Sequence, residues 1–210
     1  MEQGKTSTDK FVIVIGREYG SGGRRIGKLL ASELGVAYYD KTLLQEAARH
    51  MGYAPEIFEL KDERRPSLIR SILSFTYGAN TANIDGAPMS DEKIYEFQSR
   101  VIRDICNRES CVIVGRTADY VMRHHPGLIS IFVHAPIEER IKAIIKRGET
   151  DSESEAREKA LTVDKSRASF YNYYTNFDGW GKSNNYHFSF DSSRMSDAAI
   201  LTAVKDMIKK

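Results

Sequence analysis

The sequence predicts an α/β fold in which a parallel β-sheet is flanked by helices. Segments typical of strands alternate with segments typical of helices along most of the chain. The first strand, residues 11–15, is a continuous apolar run, which is typical of a strand buried on both faces. With 210 residues, the chain is long enough for one such domain with mobile appendages.

The order of the elements follows from apolar spacing and from the residues that punctuate it. The predicted strands are residues 11–15, 36–39, 111–114, 128–133 and 186–190. The predicted helices are residues 26–34, 41–51, 91–108, 120–125, 137–146, 159–174 and 197–208.

Three stretches do not fit this alternation. Residues 1–10 are polar and are expected to be a flexible N-terminus, which leaves residues 11–210 as a single domain. Residues 55–90 are irregular and contain several Pro and Gly, so we expect an inserted mobile segment there. Residues 148–158 are highly charged and poor in large apolar side chains, and we expect a second mobile element.

Composition argues against several classes of protein. The formal net charge of +2 gives no overall field for wrapping nucleic acid or adhering to a membrane, so neither is expected as a partner. Cys106 and Cys111 are too few for a disulfide framework and poorly spaced for zinc, and His124–His125 is expected to be a helix-end pair rather than a metal site. No apolar leader or spanning segment is visible, which predicts a cytoplasmic protein.

A glycine-rich segment joins the first strand to the first helix. Gly20, Ser21, Gly22 and Gly23 are placed where glycines let backbone N–H groups converge on an anion, and a helix N-terminus adds positive potential. The glycines could instead serve only a tight strand-to-helix turn. The flanking arginines, Arg17, Arg24 and Arg25, favour the phosphate site.

This segment departs from the phosphate-binding motif G-x-x-x-x-G-K-[S/T]. No lysine follows the glycines directly, and Lys28 falls a turn into the helix. An arginine is therefore expected to supply charge to the β- and γ-phosphates of ATP, with Arg24 favoured and Arg17 second. The hydroxyl that holds Mg²⁺ in the standard motif has no clear counterpart, and Ser21 is the candidate.

Two segments together resemble the cytidylate kinase-like family, REYGSGGRRIGKLLA (residues 17–31) and VIVGRTAD (residues 112–119). The resemblance extends from about residue 10 to the C-terminus. It implies a P-loop NTPase-type three-layer fold with a monophosphate-binding insertion, about residues 55–90, and an arginine-bearing lid, about residues 148–170. It also implies a kinase that uses ATP and Mg²⁺ to phosphorylate a small-molecule nucleotide, with CMP or dCMP the favoured acceptor.

The resemblance also assigns acceptor-binding residues. Cytidylate kinases have a Gly-Arg-Asp triplet after the third strand, where the arginine and the aspartate contact the monophosphate nucleotide. The triplet here ends in Arg116 and Thr117, so the arginine carries over and the aspartate does not. Asp119 is close enough in sequence to compensate, although its direction on a helix would differ.

The lid of the family carries the pattern R-D-x-x-D-x-x-R, of which only the last Asp and Arg are present here, as Asp164 and Arg167. An alternative is that these two form only a surface ion pair at i,i+3 spacing. Arg140 matches the start of the lid-bearing helix or is simply solvated. Residues 191–193 resemble the family's loop near the adenine.

The tyrosines near the end of the lid helix allow two interpretations. Tyr171, Tyr173 and Tyr174, with Trp180, could stack on a base, or they could pack the lid against the core.

The complete predicted site has four parts. The predicted catalytic residues are Arg24, Arg116 and Arg167. The predicted ATP-binding residues are Arg17, Gly20, Ser21, Gly22, Gly23, Arg24 and Arg25. The predicted acceptor-binding residues are Asp40, Arg116, Thr117, Asp119, Asp164 and Arg167. Ser21 is the predicted Mg²⁺ ligand.

Two other functions stay open at this point. Thr117 and the unusual insertion allow a kinase of another nucleotide or of a small metabolite. The absent lysine and the incomplete lid pattern allow a regulatory module that binds nucleotide without turnover. The oligomeric state does not follow from the sequence.

Overall fold

The computed structural model describes residues 10–43, 47, 83–84, 87–88, 91–176 and 178–208. In chain order, the elements are β1 (Val12–Arg17), α1 (Gly23–Leu34), β2 (Ala37–Tyr39), β3 (Asn83–Ile84), β4 (Ala87–Pro88), α2 (Asp91–Arg108), β5 (Cys111–Val114), α3 (Ala118–Val121), β6 (Leu128–His134), α4 (Ile137–Lys146), α5 (Glu153–Thr175), a 3₁₀ turn (Ser183–Asn185), β7 (Phe188–Asp191) and α6 (Asp197–Ile208). The predicted flexible N-terminus, most of the predicted helix at 41–51 and most of the predicted insertion lie outside the described residues.

The main sheet has five strands in the order β2-β5-β1-β6-β7, and every pairing in it is parallel. The central strand β1 pairs with β5 on one side and with β6 on the other, and its last residue, Arg17, lies opposite Val133. The carboxyl ends of these strands therefore meet at one edge of the sheet, which is where open α/β sheets bind ligands.

Helices cover both faces of this sheet and create two cores. On one face, α1 and α6 pack on alternate residues of β1, including Ile13 and Ile15. On the other face, α2 and α3 pack on the intervening residues Val12 and Val14. Apolar residues are buried on both faces of β1, so the predicted three-layer α/β fold is confirmed.

Several predicted boundaries shift. The first strand extends past residue 15 to Arg17, which places that arginine at the end of a strand rather than in the loop. The first helix begins at Gly23, three residues before the predicted start, because glycines in the first turn hide the helical spacing. The helix predicted at 120–125 is the shorter α3, Ala118–Val121.

The predicted break between a mobile element and a helix at residue 159 is wrong, because α5 is one helix of 23 residues. Its N-cap is Ser152, whose hydroxyl accepts a hydrogen bond from the Glu155 N–H. Ala156 and Ala160 are fully buried against α4. These small residues bury a helix face without the large apolar side chains that signal one in the sequence.

Candidate active site

The predicted phosphate-binding residues lie at the carboxyl edge of the sheet. Two connections meet there, the glycine loop (residues 18–22) after β1 and the Gly-Arg-Thr turn (residues 115–117) after β5. Because β1 and β5 are neighbours in the sheet, the topology places these two connections side by side.

The glycine loop has the backbone that an anion cradle needs. Gly20 and Gly22 have left-handed φ values of 86° and 83°. A Cβ at Gly20 would also lie 2.8 Å from the carbonyl oxygen of Arg140, so both the backbone conformation and the lack of space disfavour a side chain at this position. Within α1, the first turn has no side-chain cap and no acidic residue, which leaves its N–H groups available to an anion.

Ser21 anchors the glycine loop. Its side chain is 3% exposed, and its hydroxyl lies 2.9 Å from the carbonyl oxygens of both Glu18 and Val133. The Ser192 hydroxyl donates a hydrogen bond to the Ser21 carbonyl from the connection after β7. This geometry counts against the predicted Mg²⁺ role, since the hydroxyl already bonds to backbone carbonyls of the glycine loop and of β6.

Four arginines converge near the glycine loop, and we call Arg17, Arg24, Arg116 and Arg167 the arginine cluster. Burial lowers the pKa of Arg17 well below the ordinary arginine value, and the charges of Arg167, Arg116 and Arg24 lower it further. An arginine remains protonated in proteins, so the lowered pKa reflects first the burial of this charge and then repulsion from its neighbours, and a bound anion would offset both. The sequence predicted all four residues, and the structure brings them together from four different segments.

The two arginines after Gly23 have different partners. The Arg24 side chain is 65% exposed, and its Nε lies 3.6 Å from Oδ2 of Asp40 at the end of β2. Arg25 forms an ion pair with Asp197 and so connects the N-terminus of α1 to that of α6. The predicted site residue Asp40 also accepts a hydrogen bond from the Thr42 N–H.

The Gly-Arg-Thr turn has strained backbone. Gly115, Arg116 and Thr117 have consecutive left-handed φ values of 81°, 67° and 51°. Left-handed conformations cost about 1–3 kcal/mol at residues other than glycine and cluster at functional sites. The Thr117 hydroxyl lies 2.6 Å from the Arg116 carbonyl oxygen and 3.1 Å from the hydroxyl of Tyr95.

Asp119 packs into the protein beneath this turn. It is buried, and its Oδ2 accepts a hydrogen bond of 2.7 Å from the Tyr171 hydroxyl. Burial raises the pKa of this carboxyl group. The predicted compensation for Thr117 by Asp119 gains no support, because the carboxylate instead holds α5 against α3.

Asp164 is the centre of a buried polar network. Its Oδ1 accepts a hydrogen bond of 2.7 Å from the Tyr19 N–H, and its Oδ2 lies 2.5 Å from Nη1 of Arg140. Nη1 of Arg167 lies 3.5 Å from Oδ1. The alternative of a surface ion pair is therefore wrong, and Asp164 fixes both the glycine loop and a member of the arginine cluster.

Arg140 is buried rather than solvated. Its Nε lies 3.4 Å from the Glu18 carboxylate, which in turn accepts a hydrogen bond from the Ala135 N–H. The guanidinium of Arg140 thus connects α4, α5 and the glycine loop through two carboxylates.

Two residues that belong with the site were missed. Burial, followed by the charge of Arg116, lowers the pKa of Lys41 to about 8. Its position after Asp40 at a strand end was the signal. The ring centroid of Tyr19 lies 5.4 Å from the guanidinium carbon of Arg167, and the Tyr19 hydroxyl donates a hydrogen bond to Glu149. Nothing in the sequence pattern singles out Tyr19.

The aromatic side chains of α5 pack within the protein, except Tyr173, which is 50% exposed. The rings of Tyr95 and Tyr174 stack with centroids 3.9 Å apart, and Phe170 packs against both. This geometry favours the packing interpretation over base stacking. Trp180 instead lies edge-on to Phe132 and lines an open cavity of about 660 Å³ at the ends of β6 and β7.

Two features are absent from the described part of the chain. No group of three or more His, Cys, Asp or Glu in that part is arranged to hold a metal ion. None of its helices combines the length and the apolar character needed to cross a membrane.

Comparisons with known proteins show which sequences this chain resembles. The sequence profile of the cytidylate kinase-like family matches residues 12–194. A protein named cytidylate kinase from Methanosarcina barkeri is 28% identical over 159 residues, which cover 76% of this chain and 75% of that protein.

Solved structures show the same fold. An uncharacterized protein from Eubacterium ventriosum superposes with a TM-score of 0.71 at 25% identity, over 96% of this chain and 99% of its own. The shikimate kinase of Bacteroides thetaiotaomicron superposes with a TM-score of 0.51 at 12% identity, over 95% of this chain and 97% of its own. The second likeness concerns the fold alone.

Proposed function

The chain belongs to the cytidylate kinase-like family, and from that premise we propose that it transfers the γ-phosphoryl group of ATP to a nucleoside monophosphate, with CMP or dCMP the first acceptors to test. The proposal rests above all on the arginine cluster. The Arg17 guanidinium lies against the Gly-Arg-Thr turn, Arg167 donates a hydrogen bond to the Arg17 carbonyl, and the charges of Arg116, Arg24 and Arg167 all act on Arg17. Phosphoryl transfer needs that arrangement, because catalysis consists mainly of positioning two anions and stabilising the charge between them.

The glycine loop and the N-terminus of α1 would hold the phosphates of ATP. The left-handed glycines and the uncapped first turn of α1 fit this role. Arg116, at the strained turn beside the loop, would bind the acceptor phosphate. Arg167, which Asp164 holds against the glycine loop, would face the transferred group from the side of α5.

The chain offers little that would hold Mg²⁺ by itself. No carboxylate cluster is present among the described residues, and the Ser21 hydroxyl is engaged with backbone carbonyls. Mg²⁺ is commonly held by substrate phosphates and water with only one or two protein groups, so this donor set fits an ion that arrives with ATP. When bound, it would neutralise charge on the β- and γ-phosphates.

A second acceptor class is favoured by one observation. The two side chains expected to read the nucleoside, Thr117 and Asp119, have partners within the protein, Tyr95 and Tyr171. A site without them would bind the acceptor phosphate through Arg116 and leave the rest of the acceptor to other residues. The second candidate is therefore a kinase of another nucleotide or of a small phosphorylated or hydroxylated metabolite.

The test is ADP release from ATP and Mg²⁺ with a panel of acceptors. The panel comprises the ribo- and deoxyribonucleoside monophosphates and small hydroxylated metabolites. Arg116→Ala is measured in parallel, and Arg100→Ala is the matched control, because Arg100 is an exposed arginine on α2 that pairs only weakly with the exposed Glu96. We expect release that depends on CMP or dCMP, is lost in Arg116→Ala and is unchanged in Arg100→Ala.

The remaining outcomes separate the alternatives. Turnover with a different acceptor, still dependent on Arg116, would replace the nucleotide specificity and leave the kinase proposal in place. ATP binding without turnover on any acceptor would contradict a kinase and support a regulatory module. Equal activity of Arg116→Ala and the control would contradict the acceptor role of the turn.

A further inference from the structure

Arg17 occupies a position that the phosphate-loop motif does not anticipate. It is the last residue of β1, in register with Val133 of β6, so its backbone is fixed by the sheet. Its carbonyl oxygen also accepts a hydrogen bond of 3.1 Å from Nη1 of Arg167. The side chain therefore starts from a more rigid point than any residue of the glycine loop.

Two glycines mark the course of the Arg17 side chain. A Cβ at Gly23, the first residue of α1, would lie 2.6 Å from Cβ of Arg17. A Cβ at Gly115 would overlap Nη1 of Arg17. The stem thus passes the N-terminus of α1, and the guanidinium rests on the Gly-Arg-Thr turn. One side chain spans the distance from the proposed ATP site to the proposed acceptor site.

The rest of the arginine cluster is arranged around this guanidinium. Arg167, Arg116 and Arg24 all lower its pKa, in that order after burial. Arg24 follows the glycines directly and is the favoured substitute for the lysine on sequence grounds. Its side chain is largely exposed and lies beside the Asp40 carboxylate, which already offsets its charge.

We infer that Arg17, rather than Arg24, supplies the positive charge that the missing lysine provides in other phosphate loops, and that its guanidinium contacts both the transferred and the acceptor phosphates. A planar guanidinium has five N–H donors and can hold oxygens of two phosphates at once, whereas an ammonium is a point charge. This inference rests on the proposed function and deepens it. It also explains why glycine occupies positions 23 and 115, since a side chain at either position would displace Arg17.

The experiment measures ATP affinity by calorimetry with Mg²⁺ present, and the acceptor KM with the acceptor found in the panel. The variants are Arg17→Met, Arg17→Lys and Arg24→Met. We expect Arg17→Met to weaken ATP binding and to raise the acceptor KM, each by about tenfold or more, as loss of a charged hydrogen bond does. Arg24→Met is expected to weaken ATP binding less than Arg17→Met does, since the Arg24 charge is largely exposed and lies beside the Asp40 carboxylate.

Arg17→Lys tests the shared contact. We expect it to recover most of the ATP affinity and little of the acceptor KM, because the ammonium lacks the guanidinium fork. Thermal unfolding without ligand separates a binding role from a structural one. A substrate-binding arginine repelled by three neighbours should leave the Tm of Arg17→Met equal to or above that of the wild type, whereas a structural arginine should lower it.

Three results would overturn the inference. They are a larger loss of ATP affinity in Arg24→Met than in Arg17→Met, wild-type affinity in Arg17→Met, and an acceptor KM that Arg17→Met does not change. If no acceptor is turned over, the proposed function fails, and the lysine-like role of Arg17 is judged on ATP affinity alone. A tenfold loss in Arg17→Met would retain that role, and a smaller loss would reject it.

Discussion

Lys41 adds to the site a positive charge that is lost near pH 8, whereas the other cations of the site are arginines, which stay protonated. Burial and the neighbouring Arg116 lower its pKa to about 8. The ammonium beside Arg116 would attract an acceptor phosphate only while it is protonated. The second pKa of a phosphate monoester is about 6, so the acceptor itself has a constant charge across the range where Lys41 titrates.

This pKa gives a pH-dependent prediction. In the free protein, Lys41 loses its proton as the pH rises through about 8, so we expect kcat/KM for the acceptor to fall by about tenfold between pH 7 and pH 9.5, the value of one charged contact. Lys41→Gln should start low and show no fall over the same range. A matched control is Lys28→Gln, which removes an exposed lysine of α1 and should keep the wild-type profile. An unchanged profile in Lys41→Gln would contradict a role for this ammonium.

At the scale of single residues, the arginines of the site were predicted on two grounds. Arg17 and Arg24 followed from their charge beside a glycine loop, which favours a bound anion. Arg116 and Arg167 followed from the resemblance to the cytidylate kinase-like family. The directions of Ser21, Thr117 and Asp119 were not predictable, because short polar side chains bond equally well to a ligand or to nearby protein groups. Their partners, such as Val133 for Ser21, come from distant parts of the chain.

The polar network around Asp164 operates between elements. It joins the glycine loop, α4 and α5, and both Asp164 and Arg140 are nearly excluded from solvent. Removing one partner of a buried ion pair leaves the other charge poorly compensated, and without Asp164 the buried Arg140 would keep only the longer ion pair with Glu18. Asp164→Asn is therefore expected to lower the free energy of unfolding by about 3–5 kcal/mol, as broken buried pairs do.

Chemical denaturation measures this change. The matched control is Asp178→Asn, which breaks an exposed ion pair with Lys182 and should change the free energy of unfolding by less than about 1 kcal/mol. Equal effects of the two substitutions would show that the Asp164 network contributes no more than a surface pair.

The contact between α4 and α5 explains why residues 153–158, the start of α5, were not predicted as helix. Ala156 and Ala160 bring the two helices close together, and both are fully buried. Ala160→Leu should overpack this contact and lower the free energy of unfolding by about 1–3 kcal/mol. Leu161→Ala, at the next residue but 53% exposed, should change it by less than about 0.5 kcal/mol. If Ala160→Leu is tolerated equally well, the two helices are not closely packed there.

At the scale of the molecule, a parallel sheet flanked by helices was predictable, since buried apolar strands alternating with helices leave few other arrangements. The packing of α5 against the core was one of two interpretations that its tyrosines allowed in the sequence. Tyr171 and Tyr174 of α5 contact Asp119 and Tyr95, which lie far away in sequence. These contacts anchor the C-terminal half of α5 to α2 and α3.

The arginine cluster also has a consequence for the stability of the whole protein. The ligand-free fold holds four like charges together, and burial of Arg17 among them is unfavourable. An anion that enters the cluster binds the native state and not the unfolded chain, so it stabilises the protein by mass action. At a hundred times its dissociation constant, such an anion adds about 2.7 kcal/mol.

We therefore expect tripolyphosphate or ATP to raise the Tm by about 5–10 °C at that concentration, since 1 kcal/mol shifts a domain of this size by about 2–4 °C. Sodium chloride at the same ionic strength is the control for general screening and should produce a much smaller shift. The double variant Arg116→Ala/Arg167→Ala removes two anion ligands, so the rise in Tm that polyphosphate causes should become smaller. Its Tm without ligand should decrease by less than this loss, because two charges that repel Arg17 have also been removed. If polyphosphate raises the Tm of the wild type and of the double variant equally, it binds elsewhere, and the arginine cluster is not the phosphate site.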